Sequence, residues 1–543
     1  MDYFNIVFSC VSIFLCVFGF CQGLLRKDKI RMKELANPNY ILMGIVFFAA
    51  AVRIFRFNQI PGGINPDEAS LGYDAFATAF FGMDRNGVHN PVYAISWGSG
   101  QNVLYMYVVA FFVRMFGLSA FVVRTPMLIT SILTVPMFYY VVKKAAGVNT
   151  ALFASMFLAI APWHILLSRW ALESNFLPFV FLGGVCLLIH AAEKKNTLFF
   201  VLAAGVFSLS MYAYATVCFV MPLFLGIVCG LLLLNKMITP KQLLLSGLCF
   251  LIAAVPLALF YIVNLFELDP IITPLFTVPR MTEMRNTNLD TIPKNLMDML
   301  GLLVMQEDMP WNVVPGFGAV YLFMTPFTVI GFWSAFKKRR ENFFQCLMLV
   351  WFFCSAIVGA VVSVNINRIN LIFLPMIFLI AEGVFVASER AKFAVPVVCV
   401  MLLAGFSLMQ VKFHTDASYR QWMDQLFAES YEDAVKYAET FDREVFVADD
   451  VRAAHILTLF YLKTQPQDYI DTVQYLYHDV EFRPVMSYGH FIFEKPLPPD
   501  LDSGMVYITS NYKAGFVDKL RFDVRQFDYY SVISAKPEAL GTP

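Results

Sequence analysis

The sequence predicts a polytopic α-helical membrane protein, with about twelve transmembrane helices, that carries a C-terminal extracytoplasmic α/β domain. Three observations predict it. The 543-residue chain is 59% hydrophobic and only 15% charged, whereas a soluble domain is about half apolar and about a quarter charged. Apolar runs of spanning length, about 17 to 22 residues, recur along it. After about residue 410 those runs stop, and the chain turns polar, aromatic and mixed in charge.

Composition also excludes classes. The net charge is zero, so no polyanionic partner is implied. Basic residues are too dispersed for a nucleic-acid stripe. The ten cysteines all lie in apolar runs, none after residue 400, with no CxxC pair or Cys/His metal spacing. They read as small apolar side chains. The C-terminal segment must then fold without disulfides or thiolate-bound zinc.

Spanning runs lie near 4–24, 40–57, 122–142, 148–167, 174–192, 216–234, 242–262, 316–336, 343–362, 369–387 and 393–410, with a shorter one near 197–212. Basic residues follow the first run and no small-residue cleavage site ends it, so it reads as a retained anchor. Val103–Gly117 is too short to settle by length. The positive-inside rule decides it. If it does not cross, the clusters at 26–33, 143–144, 194–195, 236–241, 337–340 and 390–392 share one side. Val103–Gly117 then lies along the outer surface, and both termini are outside. The loop 58–121, the turns Ser168–Asn175, Tyr212–Ala215 and Val364–Arg368, the loop 263–315 and the segment 411–543 face outward too. The inner loops are short and basic, so the chemistry belongs outside, where nucleoside triphosphates are scarce. A transmembrane module 1–410 and an outer domain 411–543 follow. In the latter, Glu444–Ala448, Val485–Phe493, Met505–Thr509 and Asp528–Ile533 read as strands, and Ala453–Lys463 as a helix.

Candidate chemistry gathers on the outer side. The first loop reads IPGGINPDEASLGYD, from Ile60 to Asp74. Its Pro and Gly force a turn. Asp67 and Glu68 then open a helical run, where a carboxylate suits the dipole and, held at the membrane face, could act as a general base. The plain alternative is an ordinary helix N-terminus. His164, beside Trp163, reads as a packed interfacial histidine more readily than as a ligand. In the second turn, Arg169, Glu173 and Asn175 sit between two spans. They make either an interfacial salt bridge with a Trp belt or an anion site at the bundle mouth. Arg368, Arg280 and Arg285 are outer arginines against the charge trend. They either snorkel to headgroups or read a lipid-linked phosphate, whose oxygens match the guanidinium fork. No P-loop, GxSxG or GxGxxG frames a soluble active site. No His/carboxylate spacing suits a metal. No cofactor is expected to be required, and a divalent metal stays open.

These residues resemble a known family. PGGINPDEASLGYDA, then Gly82–Gly87 (GMDRNG) and Asn102–Tyr107 (NVLYMY), are similar to the first outer loop of bacterial family 39 glycosyltransferases. So are GLSAFVVRTP, ending at Pro126, and APWHILLSRWALESN, ending at Asn175. These are membrane glycosyltransferases of GT-C fold, related to protein O-mannosyltransferases and the lipid A aminoarabinose transferase. The likeness runs in order from about residue 40 to 230 and returns from Asn367 to Pro375. It implies an inverting hexosyl or pentosyl transferase fed by a polyprenyl-phosphate sugar, in a bacterial plasma membrane. The acceptor hydroxyl belongs to a protein, lipid or cell-wall glycan. Carried over, Asp67 is the catalytic base with Glu68 beside it, and Arg169, Arg368 and Arg280 bind the donor phosphate. Glu173, Asn175, His164, Tyr73, Tyr212 and Tyr214 line the substrate pocket. The chain departs from the family at Ser99–Gln101, where a charged residue is common. It also lacks the His and Arg usual near Tyr212–Tyr214. The rival classes are a transporter or lipid flippase, which needs charges buried within spans such as Glu382, and a scaffold that presents the outer domain.

Overall fold

The computed structural model describes residues 37–97, 100–282, 289–477 and 483–537, with 7, 11 and 12. Most of the first apolar run, and Arg285, thus lie outside the described residues. From Pro38 to Thr415 the chain is a helical bundle. Its helices are α1 (Pro38–Ile54), α2 (Pro66–Phe81), α3 (Leu104–Phe116), α4 (Ala120–Ala146), α5 (Val148–Ile160), α6 (Pro162–Leu167), α7 (Glu173–Lys194), α8 (Thr197–Ser210), α9 (Val217–Leu234) and α10 (Pro240–Leu265). A two-stranded hairpin, β1 (Ile271–Ile272) and β2 (Thr277–Val278), precedes α11 (Ile292–Met305), α12 (Thr325–Lys338), α13 (Phe343–Val361), α14 (Phe373–Ser388) and α15 (Ala394–Thr415).

Local chemistry sets these boundaries. Thr239 caps α10 and forms a reciprocal box with Gln242, with Pro240 at the first turn. Ser119 caps α4 through the N–H of Val122, and Gly147 ends that helix at φ 85°, a conformation that favours glycine. Among the described residues, seven helices are long and apolar enough to cross a membrane. Shorter apolar helices account for most of the gap to about twelve. The run 148–167 is cut at Ala161–Pro162, α8 has 14 residues, and α12 starts only at Thr325. Helices α12 and α14 pack backbone to backbone. A Cβ on Gly331 would fall 1.7 Å from the Leu379 carbonyl, and one on Gly383 2.0 Å from that of Phe327. Small residues at a crossing permit that approach.

Beyond α15 the chain forms an α/β unit. It comprises α16 (Ala417–Leu426), α17 (Tyr431–Glu439), β3 (Val445–Ala448), α18 (Ala454–Leu462), α19 (Pro466–Thr472), β4 (Gln474–Tyr475), β5 (Val485–Tyr488), β6 (Phe491–Lys495), β7 (Val506–Ser510), α20 (Asn511–Ala514), β8 (Phe522–Gln526) and β9 (Tyr530–Ala535). The sheet order is β4-β5-β6-β3-β7-β9-β8. Central β3 runs parallel to both β6 and β7, and the other pairs are antiparallel. All four β3 residues are buried, as a strand covered on both faces requires. The expected strand 485–493 is a hairpin that turns at Gly489, and β8 was not expected. One sheet face continues into the core shared with the bundle. The other is covered by Leu497, Leu501, Met505 and Val517.

Candidate active site

The PGG turn leads into α2. Asn65 caps this helix by accepting the Asp67 N–H at 2.9 Å, and Glu68 reaches back to the Asn65 N–H at 3.1 Å. The two acids then part ways. Glu68 is fully buried. Arg124 grips both its oxygens, Nε to Oε1 at 2.8 Å and Nη2 to Oε2 at 2.7 Å, and the Ala171 N–H donates at 2.5 Å. Arg124 is equally enclosed and also donates to Asn58 Oδ1 and to the carbonyls of Pro61 and Gly63. A buried pair satisfied this completely fixes the geometry of the loop. Asp67, one residue earlier, is partly exposed at the positive end of α2. The lock thus joins the first loop to the second turn and presents the neighbouring carboxylate.

The second turn is also largely committed to scaffold. Arg169 is buried and donates to the carbonyls of Val52 (3.1 Å), Phe55 (2.8 Å), Arg56 (3.3 Å) and Ile60 (3.4 Å). It thereby caps the carbonyl end of α1, an employment that differs from the phosphate contact expected of it. His164 is buried against Arg53, 2.6 Å from Nη2, and forms part of the same packing. Glu173 opens α7 and accepts from Gln101 Nε2 at 2.9 Å. Asn175 Oδ1 accepts from Asn367 (3.1 Å) and Asn370 (3.2 Å), while Asn370 Oδ1 accepts from Trp163 (2.7 Å). Asn312 donates to Asn367 at 2.6 Å, and Asp308 accepts the Ile366 N–H at 2.6 Å. The first loop, the second turn, the strut 308–312 and the late turn 363–370 are therefore stitched together by a largely buried polar network.

The other expected residues fall as follows. Arg368 is partly exposed in the late turn, and its guanidinium donates to the Ser363 carbonyl and hydroxyl. Arg280 follows β2 and pairs with exposed Glu267 at 3.3 Å, a pair of small energetic weight. The Tyr73 hydroxyl donates to the Thr464 carbonyl at 2.7 Å, tying α2 to the C-terminal unit. The Tyr212 hydroxyl accepts the Leu257 N–H and donates to the Ala253 carbonyl. It is thus inserted into the α10 ladder beside Pro256. Tyr214 is partly buried in the same turn.

The C-terminal unit presses on the first loop. A Cβ on Gly63 would meet the Phe427 carbonyl at 2.1 Å, and one on Gly72 would meet the Phe460 ring at 2.8 Å. The Phe427 ring also packs edge-on against Trp170 and lies 5.6 Å below the Arg124 guanidinium. The PGG glycines are thus needed for the close passage of 427–429. Glu429 is partly buried there; burial, Asp424 and Asp528 push its carboxyl up. Deeper in the loop, burial and Asp74 push Asp84 up to about 7, and burial also raises Asp74. Sequence reasoning quoted Arg124, Asp84, Arg85 and Gln101 within motifs but assigned them no role. Their partners lie up to 72 positions away in the chain, so spacing alone carried no signal. Among the described residues, no three His, Cys, Asp or Glu side chains gather as a metal site.

The acid-bearing loop is thus held between one end of a helical bundle and the α/β unit that follows it. Residues 101–260 match the family model described as dolichyl-phosphate-mannose-protein mannosyltransferase, in agreement with the motif resemblance. No curated protein matches the chain in sequence. Among solved structures, the chain is similar to ArnT from Cupriavidus metallidurans bound to undecaprenyl phosphate. Identity is 12% over 93% of this chain and 98% of that one, with a TM-score of 0.49. It is also similar to the Archaeoglobus fulgidus oligosaccharyltransferase, 13% identical over 78% of this chain and 64% of that one, with a TM-score of 0.44. The arabinosyltransferase EmbB from Mycobacterium smegmatis is 12% identical over 82% and 43%, with a TM-score of 0.35.

Proposed function

We propose that the chain is an inverting glycosyltransferase that moves a sugar from a polyprenyl phosphate to a hydroxyl acceptor on the extracytoplasmic side. One observation carries the reading. The Glu68–Arg124–Ala171 lock, two of whose members fall in the family-matched segment 101–260, fixes the loop so that Asp67 is the accessible carboxylate of the acidic pair.

Asp67 takes the proton of the acceptor hydroxyl as its oxygen attacks the anomeric carbon from the face opposite the phosphate. The anomeric C–O bond to the carrier breaks, and the electron pair leaves on the lipid phosphate. The transition state has the oxocarbenium character common to glycosyl transfer. Arg368, a partly exposed arginine of the late turn, meets the growing phosphate charge. Gln101 and Glu173, joined by a hydrogen bond of 2.9 Å, orient the sugar. Glu68 and Arg169 hold the frame. The carrier's tail needs only apolar contact at the bundle surface. A flippase would need uncompensated charge within the spans, whereas Glu382 is paired with Lys338 at 2.7 Å and with Ser334 at 2.8 Å.

The test supplies undecaprenyl phosphates bearing labelled sugars to the purified chain with an envelope extract. Label should enter an acceptor with inverted anomeric configuration, read by NMR. Label translocated but never transferred, or transferred with retention, would count against the proposal.

A further inference from the structure

At the end of the bundle opposite the first loop, three helices enclose an apolar groove that the transfer chemistry leaves unused. Helix α8 fixes which end this is. Its last turn leads to Tyr212, whose carbonyl accepts the Leu104 N–H of α3 at 3.0 Å. Its first residue, Thr197, therefore lies at the far end. The groove has a volume of about 250 Å³ and runs between Phe200 and Phe207 of α8, Val228 and Leu232 of α9, and Leu243 and Gly247 of α10. Seven to eight helical residues on a side give it a length of about 10–12 Å. Toward mid-membrane the Phe207 ring meets Phe224 of α9 at 5.6 Å.

The lining suits hydrocarbon. The Ser246 hydroxyl is spent on the Gln242 carbonyl at 2.8 Å, and the Cys229 thiol is only a weak donor. A space lined this way stays dry. Leu251 lines it and is 62% exposed, so the groove opens sideways onto the bilayer. The far rim is basic. Lys236 stands two residues before Ile238, and Lys241 two before Leu243, and both apolar residues line the groove. Gln242 Nε2 donates to the Lys195 carbonyl at 2.9 Å and to Thr197 Oγ1 at 3.1 Å, which brings the α7–α8 turn to the same rim. All three lysines are exposed. Neighbouring Glu193 is paired with Lys144 at 2.6 Å. Among the described residues, none of the three lysines has an acidic partner. A basic rim between spanning helices, at the end that the positive-inside rule makes cytoplasmic, is the setting in which anionic headgroups bind. The carrier phosphate of the transferase reading belongs at the opposite end, beside Arg368.

We propose that this groove binds an anionic phospholipid: one acyl chain lies between α8, α9 and α10, and Lys195, Lys236 and Lys241 hold the phosphate. The site stands apart from the transferase reading and does not depend on it.

The test is native mass spectrometry of the full-length chain in detergent, titrated with dioleoyl phosphatidylglycerol or dioleoyl phosphatidylcholine. The wild type should retain one phosphatidylglycerol about a hundredfold more tightly than phosphatidylcholine, at about fivefold for each basic residue near an anionic headgroup. Lys195→Gln, Lys236→Gln and Lys241→Gln should each weaken it about fivefold, and the triple variant should erase the preference. Gly247→Phe should displace the lipid, because a Cβ there meets nothing within 4 Å and the ring enters the groove. Gly44→Phe on α1, where a Cβ is equally free, should not. Arg340→Gln, exposed in a different basic loop, should leave binding unchanged. Dihexanoyl phosphatidylglycerol, whose chains are too short to fill the groove, should bind at least tenfold more weakly than the dioleoyl lipid. Equal retention of the two headgroups, a loss in Arg340→Gln as large as in the lysine variants, full binding by Gly247→Phe, or equal binding of the short-chain lipid would overturn the proposal and leave the transferase reading untouched.

Discussion

Two polar regions of the first loop are built on opposite plans. Around Glu68 every strong donor is spent: one carboxylate takes a bidentate arginine and a backbone N–H, and the same arginine also binds Asn58, Pro61 and Gly63. Around Arg85 the groups are just as buried, but two carboxylates face one guanidinium, and burial holds both acids above their ordinary range. The first region is a fixed clamp that sets where Asp67 stands. The second is a buried cluster whose charge balance changes with pH. Saturation separates scaffold from chemistry more sharply than burial does.

The comparison can be broken from several directions. Asp67→Asn should lower kcat by about 10²–10⁴-fold with an unchanged thermal midpoint, checked by transfer kinetics beside scanning fluorimetry. Arg124→Met leaves the Glu68 charge buried alone and should cost about 3–5 kcal/mol, measured as a lower unfolding midpoint in detergent. Arg368→Ala should raise the donor KM about tenfold, the worth of one contact to a charged phosphate, with the acceptor KM unmoved. The weaker region predicts a pH effect. Asp84 titrates near 7 when folded, because of burial and Asp74, against about 3.9 unfolded. The protonated acid is the form the fold prefers. Its stabilisation is complete below pH 4 and is lost as pH rises through 4 to 7, with Arg85 and Tyr107 the other titrating groups facing it. Asp84→Asn should flatten that slope in a series of melting curves. Smallest of all, Arg280→Ala should change stability by under about 0.5 kcal/mol, since its pair with Glu267 is exposed.

Much of this was legible in the sequence, for reasons that differ by element. Apolar run length located the helices, because hydrocarbon thickness imposes that length. It failed at 148–167, where Pro162 breaks a continuous run, and at α12, whose first residues are irregular. The strands around Val445 and Val506 were readable from β-branched runs, whereas edge strand β8 (FDVRQ) mixes charge with apolar residues and gives no such signal. Asp67 and Glu68 were visible as a pair at a helix start. Which one is accessible depends on Arg124, 56 positions on, and so was not readable. Arg169 resembled a phosphate ligand by type and place. Its carbonyl partners on α1 follow only from how the helices pack.

The most direct measurement sets the two adjacent acids against each other. Asp67→Asn and Glu68→Gln would be purified side by side, and single-turnover transfer and thermal unfolding recorded for both. The account predicts a stable, inert Asp67→Asn protein, and a Glu68→Gln protein whose melting point drops while its folded fraction still transfers sugar. An Asp67→Asn protein with full single-turnover activity would contradict it.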